Sequence, residues 1–94
     1  MFRISELVWT ENEIESIGKH GVTPDDVDEA IFGVDGEEAK YRVRRDGGYY
    51  AILGETGSGR LLSMAGEKLA ESKMRIFHAM DMNDNEKAAF RKGN

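Results

Sequence analysis

The chain has 94 residues, 39% of them apolar, with 13 basic and 18 acidic side chains and no cysteine, which excludes disulfides, thiolate metal sites and a cysteine nucleophile. That length suits one domain over residues 1–94 rather than two independent cores. The net charge of −5 conceals a split: residues 1–39 carry two basic and eleven acidic side chains, residues 40–94 eleven basic and seven acidic, so the halves sum to −9 and +4. A polyanion responds to a local field and not to the chain total, so RNA remains a candidate partner, although the solvated faces of an ordinary acidic protein carry the same charges. No apolar run approaches the ~20 residues of a membrane span, and MFRISELVW lacks the pattern of a secretory signal. The expectation is a cytoplasmic protein with no membrane role. Two histidines distant in sequence argue against a zinc site, and no metal or cofactor is expected.

Along the chain, Ile4, Leu7, Val8 and Trp9 form a short strand or an apolar lead-in. Thr10 with Glu13 three residues on has the form of a capping box, opening a helix over Glu11 to Lys19 that Gly21 ends. His20 belongs to the C-terminal cap and packing of that helix. Thr23-Pro24-Asp25-Asp26 then reads as N-cap, proline in the first turn and acids favoured by the helix dipole, with Val27, Ala30 and Ile31 as the buried stripe and an end near Gly33. Asp25, Asp26, Asp28 and Glu29 follow a helix surface and do not make a metal site.

From Lys40 the period changes to two. A strand through Tyr41, Val43 and Arg45 meets the turn Asp46-Gly47-Gly48; Tyr49 to Gly54 returns; Thr56-Gly57-Ser58-Gly59 turns again; and Arg60 to Gly66 forms a third strand. Leu69 to Ser72 reads as a connection before a fourth strand, Lys73 to Met80. Asn83 with Glu86 repeats the capping-box pattern and starts a terminal helix ending in Arg91-Lys92. The predicted fold class is α+β, with two N-terminal helices, a four-stranded antiparallel sheet and a C-terminal helix.

Strand alternation sets further expectations. Arg42 and Arg44 share a face, as RNA contacts or as solvated charges protecting an edge. Tyr49 and Tyr50 point to opposite faces, so one is exposed and able to stack on a base. Arg75 and His78, three apart, face opposite sides unless a bulge intervenes. Trp9 is a core anchor, and Met64, Met74, Met80 and Met82 fill core gaps, with Met80 also a candidate partner contact.

Four segments resemble the BrnT family of ribonuclease toxins from type II toxin–antitoxin systems. They are Trp9; Lys19-His20-Gly21-Val22-Thr23-Pro24 with the acidic helix to Phe32; Gly54-Glu55-Thr56-Gly57-Ser58-Gly59-Arg60-Leu61-Leu62; and Arg75-Ile76-Phe77-His78-Ala79-Met80-Asp81-Met82 running into Asn83-Asp84-Asn85-Glu86. The resemblance implies a RelE-like fold, metal-independent RNA cleavage that arrests translation, and restraint by an antitoxin, expected to be a ribbon–helix–helix protein. Such cleavage needs a base for the 2′-hydroxyl, a cation at the phosphorane and an acid for the leaving oxygen. His78 and Glu67 are the candidate base and acid, Arg60 and Arg75 complete the candidate catalytic set, and Arg42, Arg44, Arg45, Lys68 and Lys73 are candidate RNA contacts.

The chain departs from the family where Met80 replaces an arginine and Phe90 a commoner tyrosine. Loss of one charge-stabilising donor costs ~2.7–4 kcal/mol of barrier. The alternative expectation is therefore a weakened or inactive member that serves as a binding module for an antitoxin or another protein. A third is a plain dimeric domain with no nucleic-acid role, whose −9 and +4 halves pair within one chain or across a homodimer interface.

Overall fold

Side-chain to backbone hydrogen bonds start all three helices in the computed structural model, which describes residues 3–92; the spacing predicts the Thr10–Glu13 and Asn83–Glu86 pairs and the Thr23 N-cap, and the return bond of Asp26 is an addition. In Thr23-Asp26 the Asp26 amide donates to the Thr23 hydroxyl (3.1 Å) and the Thr23 amide to the Asp26 carboxylate (3.0 Å). Asn83 and Glu86 exchange the same pair of bonds at 2.8 and 2.9 Å. At the first helix the Glu13 carboxylate accepts from both the amide (2.8 Å) and the hydroxyl (2.6 Å) of Thr10. Each arrangement satisfies amides that have no partner inside the helix. The helices are α1 (Glu11–Gly18), α2 (Pro24–Phe32) and α3 (Asp84–Lys92).

Five strands accompany them: β1 (Glu6–Leu7), β2 (Arg42–Asp46), β3 (Tyr49–Glu55), β4 (Leu61–Ala70) and β5 (Lys73–Asp81), in the sheet order β1-β5-β4-β3-β2. The class is α+β as expected, but the sheet is five-stranded and mixed where four antiparallel strands were expected. The apolar lead-in forms β1, which lies parallel to β5 with Glu6 opposite Lys73 and Leu7 opposite Met74. The Ser5 amide donates to the Ser72 carbonyl at 2.8 Å and the Val8 amide to the Met74 carbonyl at 2.9 Å. A two-residue strand has no period of its own to read, and its partner lies more than sixty residues away. The segment Leu69 to Ser72 is also not a connection: β4 runs to Ala70, and only Glu71-Ser72 turns the chain into β5.

One face of the sheet makes the core. Ile52, Leu62, Met64, Met74, Ile76 and Ala79 are buried against Ile4, Ile17, Val22, Val27, Ala30 and Ile31, with Trp9, Tyr41, Val43 and Tyr50 packed at its margin. Full burial of each large aliphatic side chain contributes roughly 1.5–3 kcal/mol. After α2 the chain reverses through Gly33, whose φ of 84° and contact with the Glu37 carbonyl leave no space for a Cβ. On the opposite face Ser63, between buried Leu62 and Met64, donates its hydroxyl to Glu86 of α3 at 2.7 Å. Arg42 Nε donates to the Phe90 carbonyl at 3.3 Å. The terminal helix thus covers part of a sheet face that is otherwise open.

Candidate functional site

The open face acquires its chemistry from a bulge. In β5, Met74 and Ile76 are buried two apart, but the next buried residue is Ala79, three further on. The register with β4 slips at that point: Ala65 faces His78, Gly66 faces Ile76, and Phe77 is the extra residue. Arg75, His78 and Met80 therefore all project from the open face, so the bulge that a shared face for Arg75 and His78 required is present. Gly66 sits across from it because a Cβ there would come 2.8 Å from Ile76 Cδ1 and 2.9 Å from Met74 Sδ. Phe77 also lies on the open side: its ring meets Tyr49 at a centroid distance of 6.1 Å, and the Arg75 guanidinium stands 5.7 Å over it. Tyr49 is the exposed tyrosine, at 39%, while Tyr50 packs on the core.

Arg75 is held by two carboxylates. Its Nη1 donates to Glu13 Oε2 at 2.8 Å, and its Nη2 to Glu67 Oε2 at 3.4 Å. Glu13 is nearly inaccessible, its side chain 4% exposed, whereas Glu67 is half exposed and lies directly across the ladder from Arg75. The Thr10 hydroxyl bond, then the Arg75 bond, hold the Glu13 carboxyl below its usual range despite burial, which acts the other way. Hydrogen bonding to Glu13 and then Glu67 raises Arg75 in turn. The guanidinium is rigidly oriented and largely charge-balanced, a poorer phosphate ligand than a solvated arginine.

His78 lies farther along β5, with Nε2 3.3 Å from Met80 Sδ and its ring 5.3 Å from that of His20, centroid to centroid, at 75°. His20 is brought there by the turn after α1, and Arg60 holds that turn. Arg60 donates to the Gly21 carbonyl (2.8 Å), the His20 carbonyl (3.1 Å) and the Asp81 carboxylate (2.7 Å), with Asp26 at 3.9 Å. It thereby ties the α1–α2 junction to the far end of β5. Five rungs of ladder separate that end from the Glu67–Arg75 pair, roughly 15–20 Å. The structure thus brings together Glu67, Arg75 and His78 of the four candidate catalytic residues and places Arg60 in a clamp.

The candidate RNA contacts are dispersed. Arg42 and Arg44 alternate onto the open face of β2, Arg42 against Phe90 (5.8 Å to the ring) and Arg44 beside Asp46 at 3.6 Å. Arg45 points to the other side, over the Tyr50 ring at 5.7 Å. Lys68 is exposed in β4, and Lys73 pairs with Glu6 of β1 at 3.8 Å. Among the described residues the pairs Arg60–Asp26, Lys73–Glu6 and Arg75–Glu13 join the basic half to the acidic half within one chain. In the sequence Glu13 reads only as a capping residue; its role as the counter-ion of Arg75 appears with the fold. The one available signal was a carboxylate on the helix face that also carries Ile17, both of which are buried.

The paired carboxylates imply a pH dependence. Asp81, like Glu13, is lowered, chiefly by its bond to Arg60. In the unfolded chain both take up protons at higher pH, so the stability they contribute is complete above the ordinary carboxylate range of about 4 and is lost as pH falls through their lower folded values. Asp28, raised by burial and then by Asp25, acts with the opposite sign. Thermal melts should therefore show a steep loss of midpoint below about pH 4, flattened in Glu13→Gln/Asp81→Asn; an unchanged slope in that variant would mean that neither pair matters.

Among the described residues no group of three or more His, Cys, Asp or Glu side chains is arranged to hold a metal ion, and no helix is long and apolar enough to cross a membrane. No protein-family model matches the chain, and a search of curated proteins returns no significant match.

Proposed function

We propose that the open sheet face binds RNA and cleaves its backbone without a metal, as the toxin of a BrnT-like type II toxin–antitoxin pair with a RelE-like fold, acting in the cytoplasm. The observation that carries this reading is a carboxylate, a guanidinium and an imidazole on one accessible face beside two aromatic rings, Tyr49 and Phe77. Glu67 accepts the proton of the 2′-hydroxyl. The 2′-oxygen then bonds to phosphorus as the bond to the 5′-oxygen breaks, and His78 protonates that leaving oxygen, giving a 2′,3′-cyclic phosphate and a 5′-hydroxyl. Arg75 donates to the phosphoryl oxygens as charge builds on them. Tyr49 and Phe77 offer surfaces for base stacking, which tolerates any sequence.

A second reading, an RNA- or antitoxin-binding module with little turnover, is favoured by two specific observations: Arg75 is already engaged by Glu13 and Glu67, and Met80 stands exposed where the family resemblance calls for an arginine. An antitoxin would cover the same face, with Met80 and Tyr49 as its apolar contacts. Cleavage of end-labelled RNA in chelator separates the two. Slow cleavage by the wild type, lowered about 10²–10³-fold in each of Glu67→Gln, Arg75→Ala and His78→Ala, is expected for the ribonuclease. Equal rates in all four proteins would remove these residues from the site. Salt-sensitive RNA binding with no cleavage would leave the module.

A further inference from the structure

The fold brings together two imidazoles that are far apart in the sequence, His20 and His78, and the thioether of Met80. His20 leaves the end of α1, His78 sits at the bulge of β5, and Met80 is two residues beyond it on the same face. We propose that His20, His78 and Met80 form a three-ligand site for a soft monovalent metal ion, copper(I) in chemical class.

The spacing fits a shared ion. With metal–nitrogen and metal–sulfur bonds of about 2.0 and 2.3 Å, a nitrogen and a sulfur at an angle of about 100° on one ion lie about 3.3 Å apart, and two imidazoles at about 115° have centroids about 5.3 Å apart. His78 Nε2 and Met80 Sδ are 3.3 Å apart, and the His20 and His78 rings are 5.3 Å apart. The rings meet edge to face at 75° and do not stack. A thioether is a soft donor that favours copper(I) over zinc or magnesium, while imidazole accepts several of these metals, so the N,N,S set selects for the soft ion. Access is open, because His20 and Met80 are exposed, Met80 at 40%.

The surroundings hold the ligands in place. Arg60 fixes the carbonyls of His20 and Gly21 from outside the site, and its own charge is balanced by Asp81 and Asp26, so the clamp adds little repulsion toward a cation. The bulge determines the direction of His78. Coordination would also take His78 out of the proton transfer proposed above, so a loaded protein would not cleave RNA; the site itself depends only on the three ligands and stands whether or not cleavage occurs.

Two readouts test it without recourse to activity. In anaerobic competition with a chromogenic copper(I) chelator, the wild type should withdraw one equivalent, and Met80→Leu, His20→Ala and His78→Ala should each weaken that withdrawal at least tenfold while keeping the wild-type circular dichroism. Silver(I), a redox-inert probe of the same softness, should at one equivalent shift the Met80 methyl and both histidine ring protons of the wild type together in NMR spectra. Failure to withdraw copper(I), undiminished affinity in Met80→Leu, or silver shifts elsewhere with Met80 unmoved would overturn the site and leave the 3.3 Å contact as a plain N–H···S hydrogen bond.

Discussion

Replacing Glu13 with glutamine lowers the free energy of unfolding by roughly 2 kcal/mol, the scale of a buried hydrogen bond to a charged partner, which is about 10 °C in midpoint for a domain of this size. The amide keeps an acceptor for Thr10, so the cap survives and the loss falls on the ion pair: the Arg75 guanidinium, 2.8 Å from the native carboxylate, is left with Glu67 alone. Glu15→Gln, on the exposed side of the same helix, is the control and should move stability by no more than about 0.5 kcal/mol. A double-mutant cycle with Arg75→Leu should be strongly non-additive, since removing both partners leaves no unpaired charge. If Glu13→Gln melts with the wild type, the pair is only a surface contact. The same substitution has a functional side: with one carboxylate gone, Arg75 is freer to meet phosphate, so RNA affinity should rise and its salt dependence steepen as stability falls.

Met80→Arg should raise RNA cleavage by about two to three orders of magnitude, which is what one added charge-stabilising donor contributes at a site of this kind. Met80 pairs with Ser63 in the ladder, is 40% exposed and shares the open face with His78 and Arg75, so a guanidinium there adds positive charge beside His78 on that face without disturbing the core. The neighbouring carboxylate, Asp81, is already bonded to Arg60 at 2.7 Å and would not neutralise the newcomer. Met80→Leu, equal in bulk and without charge, should show no gain. A Met80→Arg protein that folds and binds RNA yet cleaves no faster would sink the proposal that the missing cation limits this face.

What the sequence determined by itself was what neighbours three or four residues apart govern: the capping pairs Thr10-Glu13 and Asn83-Glu86, the Thr23 N-cap, the two-glycine turn after Asp46, the Thr56–Gly59 turn and the α+β class that follows from their order. Those features are local because a side chain meets the backbone of its own turn whatever the remainder of the chain does. The tertiary structure alone decided the fifth strand, the length of β4, which tyrosine is exposed, the burial of Glu13 against Arg75 and the meeting of His20 with His78. Each depends on partners distant in sequence, and the last two depend on register. One extra residue at Phe77 reverses which side chains of β5 face the core, and nothing in a period-two pattern shows where that residue will fall until β4 is laid beside it.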